Sequence, residues 1–341
     1  MLNTILQLGF LPFINFVRPL IGTWVMNLTM GSIARDSVAY IQYANGHMDA
    51  RIDAYKTNQP SDGKSPCKDF THYLLRARDP VTSAGLTTAE LHADSALLMH
   101  AGSDTTSIAM SACIFDLLHN PPSLAALIHE IRSTFASTEA IRSGPALNSC
   151  TYLRACIDET LRLSPPVPSH LPREILPGGL TVNGHWLPPG TVVGTSPWAI
   201  HHNSEYFPDP FAFQPERWII GDSNAEAVAA ARSAFCAFSL GSRGCVGKSV
   251  AYLEVSLALA NLLWLYDISL GEGDPTGGGA EVAPAGWRGR TPEGESLPEE
   301  RRREDEYQLF DRFTADRDGP MVRFRNRSGS SNLTVQTVRS V

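Results

Sequence analysis

The chain has 341 residues, of which 43% are hydrophobic and 18% charged. That is enough for a large buried core in one or two domains and excludes a disordered chain. A formal net charge of −7 argues against non-specific nucleic-acid binding. Six cysteines occur without a CxxC pair or a regular spacing, which argues against a disulfide framework and points to a reducing compartment. The ten histidines do not fall into zinc-ligand spacing with cysteines, and the adjacent His201-His202 is the wrong geometry for two ligands from one element.

Leu2 to Met30 is apolar but lacks a basic region and a cleavage site, so a signal peptide is a poor reading. Pro12, Arg18 and Pro19 interrupt the run and disfavour a membrane span. Two short amphipathic helices, on the core or on a bilayer surface, fit better. Residues 35–58 read as one amphipathic helix, 59–68 as a polar loop and 69–78 as a short helix. Thr87-Thr88-Ala89-Glu90 is a capping box that opens a helix running to about His119, where Asn120-Pro121-Pro122 stops it. Such a helix spans roughly 45–50 Å. Helices follow over 123–135 and 152–163. Leu180–Val182 and His185–Leu187 flank Asn183-Gly184 as a hairpin. A strand over 191–195, a proline-rich meander to Trp218 and a long helix over 247–265 come next. Residues 271–306 contain eight glycines and the charged run 299–306, and read as a disordered insert. Order is expected to resume near Tyr307, with a closing strand over 319–324 and a free tail over 326–341.

Three motifs carry chemistry. Phe238-Ser239-Leu240-Gly241-Ser242-Arg243-Gly244-Cys245-Val246-Gly247 sets one cysteine in a glycine-rich loop ahead of an apolar helix. Glycines at 241, 244 and 247 let backbone approach a large flat ligand. The helix start aims amide N–H groups at the sulfur and favours its thiolate, the form that ligates iron. Glu159-Thr160-Leu161-Arg162 places two charges on one helical face; alone, it reads as a surface salt bridge. Ala101-Gly102-Ser103-Asp104-Thr105-Thr106 is a poor helix interior between apolar flanks. It reads either as a tolerated kink or as a locally opened turn that presents an acid and an alcohol.

The cysteine loop resembles the haem-binding loop of the cytochrome P-450 family, Phe-x-x-Gly-x-Arg-x-Cys-x-Gly, at Phe238, Gly241, Arg243, Cys245 and Gly247. The other two motifs stand in the family's order, with Pro215-Glu216-Arg217-Trp218 between. The resemblance implies a mainly α fold with small β-sheets, a cytochrome P-450-like fold lacking its N-terminal part. It implies haem b with Cys245 as the axial thiolate, Arg243 and Arg173 as propionate contacts, and a Glu159–Arg162–Arg217 triad for folding and haem retention. Asp104 would relay protons from solvent, and Thr105 would hydrogen-bond dioxygen. The implied organisation is 1–84 as lid-type helices and linker, 85–270 as the haem-binding core, 271–306 as insert, 307–325 as closing strand and 326–341 as tail.

The implied activity is that of a haem-thiolate monooxygenase, inserting one oxygen atom from O₂ into a lipophilic small molecule, similar to fungal enzymes of secondary metabolism. Electrons would come from NADPH through NADPH–cytochrome P-450 reductase. The implied location is the cytosolic face of the endoplasmic reticulum membrane, although no anchor is evident in the chain. Nucleic acid is not an expected partner. The departure is at the front: the oxygen-binding motif appears already at residue 101, so roughly a third of the family's fold, with half of the haem's enclosure, is expected to be absent. A truncated, non-catalytic haem-binding fragment is therefore the alternative. A rearrangement or peroxide-driven reaction is a third reading, against which Asp104-Thr105 argues.

Overall fold

The computed structural model describes residues 23–57, 68–271, 303, 305–317 and 319–327. The residues before Thr23, nearly all of the expected insert and most of the expected tail lie outside the described residues. Two compact units divide between Asp104 and Thr105.

In the first unit, Thr23–Thr57 is one helix, longer than the expected 35–58 at its N-terminal end. Ala44, Met48 and Ile52 recur every four residues and are buried. Met48 and Ile52 join Leu91 in a small core, with Leu74, Leu75 and Leu86 packed against it. Asp69 caps the short helix Phe70–Arg76 by accepting from the His72 amide at 2.9 Å. The long helix Thr88–His119 starts at the predicted capping box. The Thr87 amide donates to Glu90 Oε2 at 2.7 Å and the Glu90 amide to Thr87 Oγ1 at 3.3 Å, so two otherwise orphaned donors are satisfied reciprocally.

The second unit is built on a repeated four-residue stride. Cys113 and Leu117, Leu127 and Ile131, Leu153, Ile157 and Leu161, and Val255, Leu259 and Leu263 are all buried in one core. Residues four apart lie above one another on a helix. The last half of Thr88–His119, Pro121–Thr134, Thr151–Leu163 and Lys248–Leu265 thus each bring one apolar ridge to a shared centre. Lys248–Leu265 is predominantly apolar, and among the described residues it is the one helix long and apolar enough to cross a membrane. Its Val255, Leu259 and Leu263 lie in the core, as expected of a central helix.

Polar side chains close the joints between these helices. Glu130 accepts from the Tyr152 and Leu153 amides at 2.9 and 2.8 Å, capping the start of Thr151–Leu163. Arg132 caps the other end of the core. It donates to the Leu263 and Tyr266 carbonyls, each at 3.0 Å, and to Asp267 Oδ1 at 2.8 Å. Lys248–Leu265 runs straight into the strand Tyr266–Leu270, which pairs antiparallel with Val322–Asn326. The hairpin Leu180–Val182/His185–Leu187 forms as predicted. Asn183 and Gly184 take φ of +48° and +80°, as a type I′ turn requires. The expected strand 191–195 is shorter, Val192–Val193, and pairs with Arg173–Glu174. Phe310–Arg312 pairs with Thr314–Asp316. Among the described residues the four sheets are all two-stranded, so the fold is mainly α with small sheets.

Candidate haem site

Glu159 and Arg162 are not a surface pair. Both are wholly buried, with Arg162 Nη2 donating to Glu159 Oε1 at 2.8 Å and Nε to Oε2 at 2.9 Å. Three further donors converge on the same carboxylate: the Gln214 amide at 3.0 Å, Arg217 Nε at 3.2 Å and Trp218 Nε1 at 2.9 Å. Arg162 also donates to the carbonyls of His201 (2.9 Å), Pro210 (2.6 Å) and Ala212 (3.1 Å). All five guanidinium N–H groups are therefore used, the full capacity of an arginine. A buried ion pair is stable only when its remaining hydrogen-bonding capacity is met in this way. The i,i+3 spacing brings the pair onto one face of Thr151–Leu163, and the meander 201–218 folds around it. Removing either partner would strand the other charge, at a cost of about 3–5 kcal/mol.

Trp218 and His201 were missed by sequence reasoning. Trp218 stands beside Arg217 in the motif, and its indole N–H is a plain donor signal. In the sequence, His201 stands out only as an unsuitable metal ligand beside His202. Its ring is wholly buried, stacked on Phe235 with centroids 5.3 Å apart and edge-on to Phe207.

The cysteine loop follows. Ser239 and Gly241 take φ of +57° and +67°, and Gly241–Arg243 forms one 3-10 turn. The Cys245 amide donates to the Phe238 carbonyl at 2.8 Å and the Gly244 amide to the Gly241 carbonyl at 3.0 Å. Phe238 anchors the loop to the core, its ring 5.1 Å from that of Tyr252. Gly247 is the N-cap of Lys248–Leu265, and a Cβ added there would sit 3.7 Å from Cys245 Sγ. The sulfur therefore stands at the N-terminal end of an 18-residue helix.

Of the described cysteines, Cys113, Cys150 and Cys156 are buried, Cys236 is half-buried and Cys245 alone is exposed; Cys67 lies outside the described residues. Burial pushes the Cys113 thiol up to about 12 and that of Cys156 upward as well, so both behave as small apolar groups. Leu240 and Val246, beside Cys245, are 66% and 93% exposed. Large apolar side chains left in water around a thiol mark a surface for an apolar ligand. An exposed thiol, a glycine-cleared approach, an apolar rim and the exposed Arg243 guanidinium suit a flat apolar cofactor with acidic edges. These residues fit haem.

Arg173 is exposed in its two-residue strand and donates to the Pro172 carbonyl at 3.0 Å. Asp104 and Thr105 are half-buried and Thr106 is buried. The helix passes through 101–106 in α geometry. The locally opened turn, one of the two readings of this segment, does not form. Arg317 Nη2 donates to Ser107 Oγ at 2.7 Å one turn later.

The family model described as Cytochrome P450 matches residues 12–276. The chain belongs to the cytochrome P450 family. The match takes in all three motifs. Cytochrome P450 monooxygenase apf7 of Gibberella fujikuroi is 41% identical over 285 residues, covering 82% of this chain and 47% of that protein. Cytochrome P450 monooxygenase AKT7 of Alternaria alternata is 41% identical over 262 residues, covering 75% and 48%. Cytochrome P450 monooxygenase apf8 of Gibberella fujikuroi is 41% identical over 298 residues, covering 81% and 76%. The chain thus spans about half the length of most of these curated P450 relatives. Among solved structures, a cytochrome P450 described as CYP102L1 matches with a TM-score of 0.66 at 23% identity, over 89% of this chain and 59% of that one. This likeness shows that the fold is that of a P450.

Proposed function

We propose that residues 85–270 form the haem-binding core of a haem-thiolate monooxygenase that acts on a lipophilic small molecule in fungal secondary metabolism. The observation that carries the reading is Cys245, exposed at the start of an apolar helix in a loop whose base rests on a buried Glu159–Arg162–Arg217 cluster. Family membership and the fungal monooxygenase relatives support it.

When bound, haem supplies the one-electron and O₂ chemistry. The chain's residues do the rest. Cys245 would hold the cofactor through its sulfur, at the start of Lys248–Leu265. Phe238, Gly241 and Gly247 fix the loop and keep its face clear. Arg243 and Arg173 offer guanidinium forks to acidic edges of the cofactor. The buried triad holds the meander to its helix and so retains the site. Asp104 takes a proton from solvent and passes it on, and the Thr105 hydroxyl holds it at Oγ1 for delivery. Electrons reach the chain from NADPH through a reductase partner, on the cytosolic face of the endoplasmic reticulum membrane.

The test is the absorbance difference spectrum of the haem-loaded, dithionite-reduced protein under carbon monoxide. A strongly red-shifted Soret band, lost in Cys245→Ala, is expected. A band typical of histidine- or thiol-bound haem would overturn the reading in favour of a non-catalytic fragment.

A further inference from the structure

His201 joins the triad to the cysteine loop. Its Nδ1 lies 3.1 Å from the Arg162 carbonyl, and its Nε2 lies 2.9 Å from the Cys236 amide nitrogen. A carbonyl can only accept and an amide N–H can only donate. Nδ1 therefore carries the proton and Nε2 is bare, which fixes one neutral tautomer. Arg162 returns the contact, its Nη1 donating to the His201 carbonyl at 2.9 Å. Burial, aided by the Arg162 charge, holds His201 down at about 3, so the acceptor on Nε2 persists across the working range.

From Cys236 the line continues through backbone. The Ser239 amide donates to the Cys236 carbonyl at 2.8 Å, bending the chain where Ser239 takes its positive φ. The Phe238 carbonyl, inside that bend, accepts from the Cys245 amide at 2.8 Å.

We propose that His201 is a positioning residue that carries the geometry of the Glu159–Arg162 pair to the Cys245 loop by holding the Cys236 amide. The proposal rests on the haem-thiolate reading for its purpose, but the link itself belongs to the chain without cofactor. Simple core packing by an aromatic ring would need no nitrogen at either position. Here both nitrogens meet backbone groups at hydrogen-bond distance, one in the Glu159–Arg162 motif and one two residues ahead of the cysteine loop.

Amide hydrogen exchange over residues 235–245, measured on the full chain without haem, tests the link beside the carbon monoxide spectrum of the loaded protein. His201→Phe keeps the stacked ring and loses both bonds. It is expected to unfold as cooperatively as the wild type, to exchange at Cys236, Ser239 and Cys245 at least about ten-fold faster, as losing one buried hydrogen bond implies, and to shift carbon monoxide absorbance away from the thiolate band. His201→Gln, whose Oε1 can reach the Cys236 amide, is expected to restore protection. His201→Asn, too short to reach it, is not. If His201→Phe fails to fold, the Gln and Asn pair decides, and equal loop exchange in the two overturns the proposal. Wild-type loop exchange in a folded His201→Phe overturns it as well, while leaving the monooxygenase reading intact. The converse result is a wild type without a thiolate band whose loop still loosens in His201→Phe. That would sink the functional reading and leave the link standing.

Discussion

Asp116 is wholly enclosed in the second unit, and Thr160 donates to its Oδ2 at 2.9 Å. Burial pushes its carboxyl well above the ordinary range, and the Glu159 charge acts in the same direction. A group whose folded value lies above its unfolded value stabilises the fold at low pH. That contribution is lost as pH rises from the unfolded value, 3.8, towards the folded one. Asp116→Asn keeps an acceptor for Thr160 and has nothing to ionise. It is expected to be at least as stable as wild type, with an advantage larger at pH 8 than at pH 5 in urea denaturation. Asp116→Ala removes the carboxylate acceptor of the buried Thr160 hydroxyl and is expected to cost about 1–3 kcal/mol at both. Nothing in the sequence marked Asp116. It stands among apolar residues of a helix, and its partner comes from a segment 44 residues away.

The helices, the hairpin and the cysteine loop were legible because their signals are local: a capping box, an Asn-Gly turn, prolines at the ends and a glycine pattern ahead of an apolar run. Glu159 and Arg162 were legible as a pair only through resemblance. Spacing alone reads as a solvated ion pair, and what buries them is the meander, whose path no periodicity announces. The short helix Ala225–Ala234 escaped notice for a similar reason. Its alanine-rich sequence has little contrast between faces, and Val228 and Ala231 are its buried residues. At Gly241 the local signal can be tested directly. Its φ is +67°, and a Cβ there would meet nothing within 4 Å, so backbone conformation alone demands glycine. Gly241→Ala is expected to cost about 1–2 kcal/mol. Gly241→Asn should cost less than Gly241→Ala, because asparagine tolerates the left-handed region. Thermal melts of the two variants compare them, and equal losses would mean that the space around the loop matters more than its φ.

Across the second unit, long-range order depends on a few side chains that reach far along the chain. Arg132 lies 131 to 135 residues from the three groups it binds, and it closes the carbonyl end of Lys248–Leu265 where cations are favoured. Asp267, its partner, also accepts from Arg325 Nη2 at 3.3 Å. Both guanidinium groups hold the Asp267 carboxyl below the usual range, Arg132 foremost. Arg132→Lys keeps the charge but cannot serve three acceptors from a planar fork. It is expected to lower the unfolding free energy by about 1–2 kcal/mol, and to raise hydrogen exchange first in the strands 266–270 and 322–326. Unchanged exchange there would show that the sheet holds without this anchor.

The line from Arg162 to Cys245 has four joints, and six of the eight groups that meet there belong to the main chain. Imidazole is the one side chain in the relay; every other joint is made by peptide groups, which all residues but proline carry in full. Substitutions at 236 and 239 therefore leave the hydrogen bonds of the connection available, provided that no proline enters at 236, 239 or 245. The connection is in this sense inherited with the backbone, and among side chains its exposure to mutation is concentrated in one histidine and in the glycine that keeps the loop's φ at position 241.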